Sequence, residues 1–183
     1  MTEAATPQNL AKEGLTAYQR RDYLAAASAF EAARRGYEVL GDALTAAEMA
    51  NNCSVAYLQA GDGEAALAAV EGTEAVFAQA GDLRRQGMAL GNRGAALEAL
   101  GQPEGAMAAY QQAADILQQA GEDQMRAQVM QSLSMLQFHL GRQLQALASM
   151  QSGLEGVEHP SVKQKMIKKL LNTPLEMTTR KKA

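Results

Sequence analysis

Tryptophan is absent from this 183-residue chain, aromatic residues make up 4% of it, and there is a single cysteine. One thiol excludes an internal disulfide, and a cytosolic protein is the simplest reading. With His139 and His159 as its two histidines, the chain has no Cys/His cluster at metal-ligand spacing. Cys53 has no histidine at a known distance and reads as packed and inert. No metal, cofactor or catalytic constellation is expected, and the protein reads as a non-enzyme. No stretch of about 18 apolar residues exists to insert into a membrane, and Met1-Thr2-Glu3-Ala4-Ala5 lacks the layout of a secretion signal. Asn52-Cys53-Ser54 matches a glycosylation acceptor formally, but inside a helix of a cytosolic chain it is discounted. β-branched runs are missing as well, which argues against strands.

What remains is a hydrophobic content of 47% with almost no aromatics, so much of the core must be Ala, Leu and Met. Closely packed helices tolerate that composition, because alanine lets backbones approach and loses no rotamer entropy. The length suits one domain. The net charge of -3 hides a polarity. Residues 1–160 carry 10 Lys+Arg against 19 Asp+Glu, whereas residues 161–183 carry 7 against Glu176 alone. An acidic body disfavours a nucleic-acid binder.

The chain repeats every 40 residues without insertion or gap, as units 1–40, 41–80, 81–120 and 121–160. One column reads Ala26, Ala66, Ala106, Ala146; another Phe30, Val70, Tyr110, Met150; a third Gly14, Ser54, Gly94, Ser134. Unit boundaries recur at Gly41-Asp42, Gly81-Asp82 and Gly121-Glu122, and mid-unit turns at Gly61-Asp62, Gly101-Gln102 and Gly141-Arg142. Such a period means one supersecondary unit stacked on its own copies, which presents an extended surface rather than an enclosed pocket.

Helical spacing of apolar residues predicts helices over about 7–20, 23–39, 42–60, 63–79, 82–100, 103–119, 122–140, 143–156 and 161–171. The mid-unit glycines close helices in the left-handed conformation, and Asp42, Asp62 and Asp82 cap the helices that follow. Two- or three-residue connections force neighbours antiparallel. After His159-Pro160, Ser161 caps a ninth helix over 161–172, with Val162, Met166, Ile167 and Leu170 on one face to cover the last repeat. Residues 173–183 read as a basic, disordered tail.

These columns resemble the tetratricopeptide repeat, in a longer-helix form of 40 residues. Unit one shows Leu10, Gly14, Asp22-Tyr23, Ala26, Phe30 and Ala33; unit three shows Leu90, Gly94, Leu97, Gly101, Ala106, Tyr110 and Ala113. The resemblance covers residues 1–156 and implies an all-α, right-handed α-solenoid of four helical hairpins plus a C-terminal capping helix.

The resemblance also implies that the first helix of each unit lines the inner, concave face. One inner column there reads Lys12, Asn52, Asn92, Ser132, and an Asn in it can pair with the backbone of an extended peptide, since a carboxamide both donates and accepts. The alternative is that these Asn side chains serve a neighbouring carbonyl. Leu15, Val55, Ala95 and Met135 flank that column, with Tyr18, Leu58, Glu98 and Phe138 one turn on. The groove is then largely apolar with one acidic residue, suited to an amphipathic helix or hydrophobic peptide. Ala11 and Leu15 stand where members that clamp chaperone carboxylates need Lys and Asn, so that specificity is excluded.

The expected function is a protein-interaction adaptor with a protein or peptide partner. A homo-oligomer that fills its own groove, or a peptide-responsive sensor, are the alternatives. The basic tail reads first as a solvated face, and otherwise as electrostatic docking onto an acidic partner, a membrane or another copy.

Overall fold

The protein's structure, a computed structural model, describes residues 6–172. The tail at 173–183, with Arg180, Lys181 and Lys182, lies outside the described residues. The helices are α1 (Pro7–Gln19), α2 (Tyr23–Val39), α3 (Ala43–Ala60), α4 (Gly63–Val70), α5 (Thr73–Gln79), α6 (Leu83–Ala99), α7 (Pro103–Gln119), α8 (Asp123–His139), α9 (Gln143–Leu154) and α10 (Val162–Asn172). No strand occurs among the described residues. The second helices begin at Tyr23, Gly63, Pro103 and Gln143, and the first helices from unit two onward at Ala43, Leu83 and Asp123. Each helix packs on a chain neighbour, α4 on α3 and α5 on α6 in unit two, so the hairpins stack into an all-α solenoid.

The starts follow from the caps. Asp22, Asp42, Asp62 and Asp82 accept hydrogen bonds from the amides of Ala25, Thr45, Ala65 and Arg85 at 2.9–3.3 Å. A side-chain oxygen there satisfies one of the free N–H groups of the first turn. Gln102, Glu122 and Arg142 take over this position in the second half without a side-chain cap. The ends follow from residues in the left-handed region, such as Gly61 at φ 83°.

Packing within the hairpins rests on small side chains. Ala26, Ala66 and Ala106 are fully buried and Ala146 nearly so. In units one and three a glycine meets a ring: a Cβ on Gly14 would lie 2.7 Å from Phe30, and one on Gly94 2.6 Å from Tyr110. Units two and four place serine in that column opposite Val70 and Met150. Ser134 donates to the Ala146 carbonyl at 2.7 Å, whereas buried Ser54 Oγ finds no partner among the described residues.

The expected single helix over 63–79 is a correction: it breaks into α4 and α5 at Glu71-Gly72. Gly72 adopts φ 77°, and the buried Thr73 hydroxyl donates to the Val70 carbonyl at 2.8 Å. Glycine followed by a hydroxyl that bonds back to the preceding turn makes the bend locally stable. α10 rests against α9. Its cap is a reciprocal pair, in which the Gln164 amide donates to Ser161 Oγ and the Ser161 amide to Gln164 Oε1. The cover it gives the last repeat is partial, because Val162 and Met166 are 76% and 63% exposed.

One turn departs from the glycine rule. Arg21 sits at φ 63° at the position that Gly61, Gly101 and Gly141 fill in later units. A Cβ in that region costs about 1–2 kcal/mol, partly offset by the entropy glycine loses on folding. Arg21→Gly is therefore expected to raise the unfolding free energy by about 0.5–1 kcal/mol. Urea unfolding checks it, and a loss of stability would show that the Arg21 side chain holds the turn.

Candidate functional site

All ten expected site residues lie on first helices: Lys12, Leu15 and Tyr18 on α1, Asn52, Val55 and Leu58 on α3, Asn92 and Glu98 on α6, Met135 and Phe138 on α8. The helical period puts each set on one face, because residues three or four apart share a side. Five of them converge. Lys12, Leu15, Tyr18, Asn52 and Val55 line a depression of about 400 Å³ between α1 and α3, floored by Phe30 and Met49. Leu15 is 53% exposed at its mouth, and Tyr18 is held edge-on against Tyr23 with ring centroids 5.4 Å apart.

The other five are dispersed. Asn92 lines a second depression, of about 300 Å³, between α6 and α8. Glu98 and Met135 line a third of about 390 Å³, which shares Gln128 and Ser132 with the second. Leu58 and Phe138 line none of these three, and Phe138 is 58% exposed. Sequence reasoning missed Glu48 and Met49 in the α1–α3 depression. They lie four and three residues before Asn52, so carrying its face one turn toward the helix start would have found them.

Two polar residues are already engaged. The Asn92 side-chain N–H donates to Asn51 Oδ1 at 2.9 Å, and Asn51 is buried. Asn92 thus joins α6 to α3 and keeps only part of its hydrogen-bonding capacity for a ligand. Glu98 accepts from the Tyr110 hydroxyl at 2.8 Å. Burial, then the Glu98 carboxylate, pushes the Tyr110 hydroxyl well above its ordinary range. Glu48 pairs with Arg85 at 3.3 Å, which leaves Lys12 as the exposed cation of the α1–α3 depression.

A further depression, about 580 Å³, lies elsewhere, between α2, α3 and the α4–α5 break. Its floor is mostly alanine methyls, and on its rim Arg34 pairs with both Glu31 and Glu38. The Arg34 hydrogen bond holds the Glu31 carboxyl below its usual range. Cys53 is fully buried, with Sγ 3.4 Å from the Ala27 carbonyl, and burial pushes its thiol up to about 11. At neutral pH it stays a thiol, a poor nucleophile. Among the described residues no group of three His, Cys, Asp or Glu could hold a metal, and no helix is long and apolar enough to cross a membrane.

Fold and depressions define a helical-repeat scaffold whose first helices carry an apolar face with a few hydrogen-bonding groups. The model of the SNAP family, soluble NSF attachment protein, matches residues 9–170, and the chain belongs to this family of α-helical, tetratricopeptide-like folds. No curated protein matches the chain.

The two asparagines separate in a stability test. Asn92→Ala strips buried Asn51 of its donor and is expected to cost about 1–3 kcal/mol. Asn52→Ala, whose side chain faces the depression, should stay within about 0.5 kcal/mol of the parent. Urea unfolding of both variants checks this, and equal losses would contradict the division of roles.

Proposed function

We propose that this chain is a cytosolic, non-enzymatic adaptor of tetratricopeptide type that holds a peptide or amphipathic segment of a protein partner against its first helices. The observation that carries the proposal is the α1–α3 depression. It is open and apolar, and it sets Lys12 and the Asn52 carboxamide beside Leu15, Tyr18 and Val55. Apolar pockets would take alternate side chains of the segment, while a carboxamide pairs with a peptide unit of any sequence. Lys12 adds a preference for an acidic group nearby.

The depressions at Asn92, Glu98 and Met135 extend the same face toward the C-terminal units, with Leu58 and Phe138 as flanking contacts. An extended ligand would run along the first helices in turn. Family membership supports an attachment role, since the family's own description is that of an NSF attachment protein. For this chain we infer attachment of a protein partner in the same broad sense.

Leu15→Asp tests the reading. The position is half exposed, so melting should be almost unchanged, whereas a charge set into the apolar mouth loses the contact and adds a desolvation cost. Partners captured by the parent from the source cell's lysate should fall by about tenfold or more with the variant, as for an interface anchor. Equal capture by both proteins would remove the α1–α3 depression from the binding surface.

A further inference from the structure

α10 stands where the first helix of a fifth unit would begin, 39 residues after the start of α8, but no second helix pairs with it among the described residues. On α10 the apolar side chains of Val162 and Met166 are exposed. Around them stand Lys165, Lys168 and Lys169, all exposed. In the helical register Val162 and Met166 share one side of α10, with Lys165 and Lys169 along its edge and Lys168 on the opposite side. Arg180, Lys181 and Lys182 follow in the sequence.

We propose that α10 is a reversible docking surface for an anionic lipid bilayer. A basic helix with an apolar stripe lies in the plane of a membrane, its stripe at the acyl boundary and its lysine stems reaching back to the headgroups. At 11 residues the helix is about 16 Å long, roughly half of what spans the hydrocarbon core, so it rests on the surface. The stripe holds no aromatic residue, so attachment leans on charge and is sensitive to salt.

Charge also decides between this occupant and a second copy. Pairing α10 with its own copy would bring two lysine-rich helices together. On the acidic body, Asp22, Asp42, Asp62 and Asp82 already accept hydrogen bonds as helix caps. Glu31, Glu38, Glu48, Glu104 and Glu122 are spent in ion pairs. A bilayer supplies a continuous negative plane with an apolar layer beneath it.

The test is flotation of the full chain with vesicles of phosphatidylcholine alone, or with about 30% phosphatidylserine as the anionic lipid. Binding is expected with the anionic vesicles only, and about 0.5 M NaCl should release it. The pair Lys165→Glu, Lys168→Glu should abolish flotation, since each basic residue near the surface is worth about fivefold in affinity. The neutral pair Val162→Asn, Met166→Asn should weaken it by about tenfold. Leu15→Asp should float like the parent, so this surface and the α1–α3 depression stand or fall separately. Circular dichroism confirms that the variants keep their helix content. Absence of flotation at low salt overturns the proposal and leaves an acidic protein helix as the occupant. Flotation left unchanged by either pair of substitutions overturns it too.

Discussion

Close approach of the two helices in each hairpin is the constraint on which the rest of the molecule depends. A protein with no tryptophan and few other aromatics has to build its core from backbone proximity rather than from large side chains. It does so by keeping Ala26, Ala66, Ala106 and Ala146 at the contacts and by seating Phe30 and Tyr110 on glycine. A methyl group at Gly14 or Gly94 would enter the ring of its neighbour. Interiors packed this tightly have two-sided tolerances, since both added and removed volume destabilise. The first helices of units two to four then start 40 residues apart, at Ala43, Leu83 and Asp123, so the same hairpin packing recurs along the chain.

Departures from the pattern fall where the stacking changes. At Glu71-Gly72 the second helix of unit two bends, and beside the bend lies the depression of about 580 Å³. At the other end Arg126, buried on α8, donates to the Ser152 and Glu155 carbonyls and to Ser152 Oγ, closing the C-terminus of α9. A guanidinium supplies several donors in a fixed fork and suits that role. Beyond it, among the described residues, comes α10, with Val162 and Met166 exposed to solvent.

Much of the fold was legible because it is written in local chemistry. Aspartate caps, turn glycines and short connections each act within a few residues, and repetition in four units separates them from chance. The break in 63–79 was hidden because Gly72 lies within an apolar helical pattern; only its contact with Thr73 and Val70 makes it an end. Arg21 was hidden for the opposite reason, since the turn around it is conventional and the residue is not. The candidate site was half legible. Periodicity puts Lys12, Leu15, Tyr18, Asn52 and Val55 on the facing sides of α1 and α3, and they meet. It cannot say that Asn92 is bonded to Asn51, or Glu98 to Tyr110, because those partners sit on other helices or a dozen residues away.

The functional reading comes down to which side of the hairpin touches a partner. Leu15 on α1 and Leu24 on α2 are the same residue type in the same hairpin, 53% and 65% exposed. A benzophenone amino acid placed at each position in turn, with irradiation in the cell and mass spectrometry of the adducts, compares the two faces directly. Partner adducts from position 15 and none from position 24 are the expected result. Adducts from position 24 alone, or equally from both, would contradict a binding surface on the first helices.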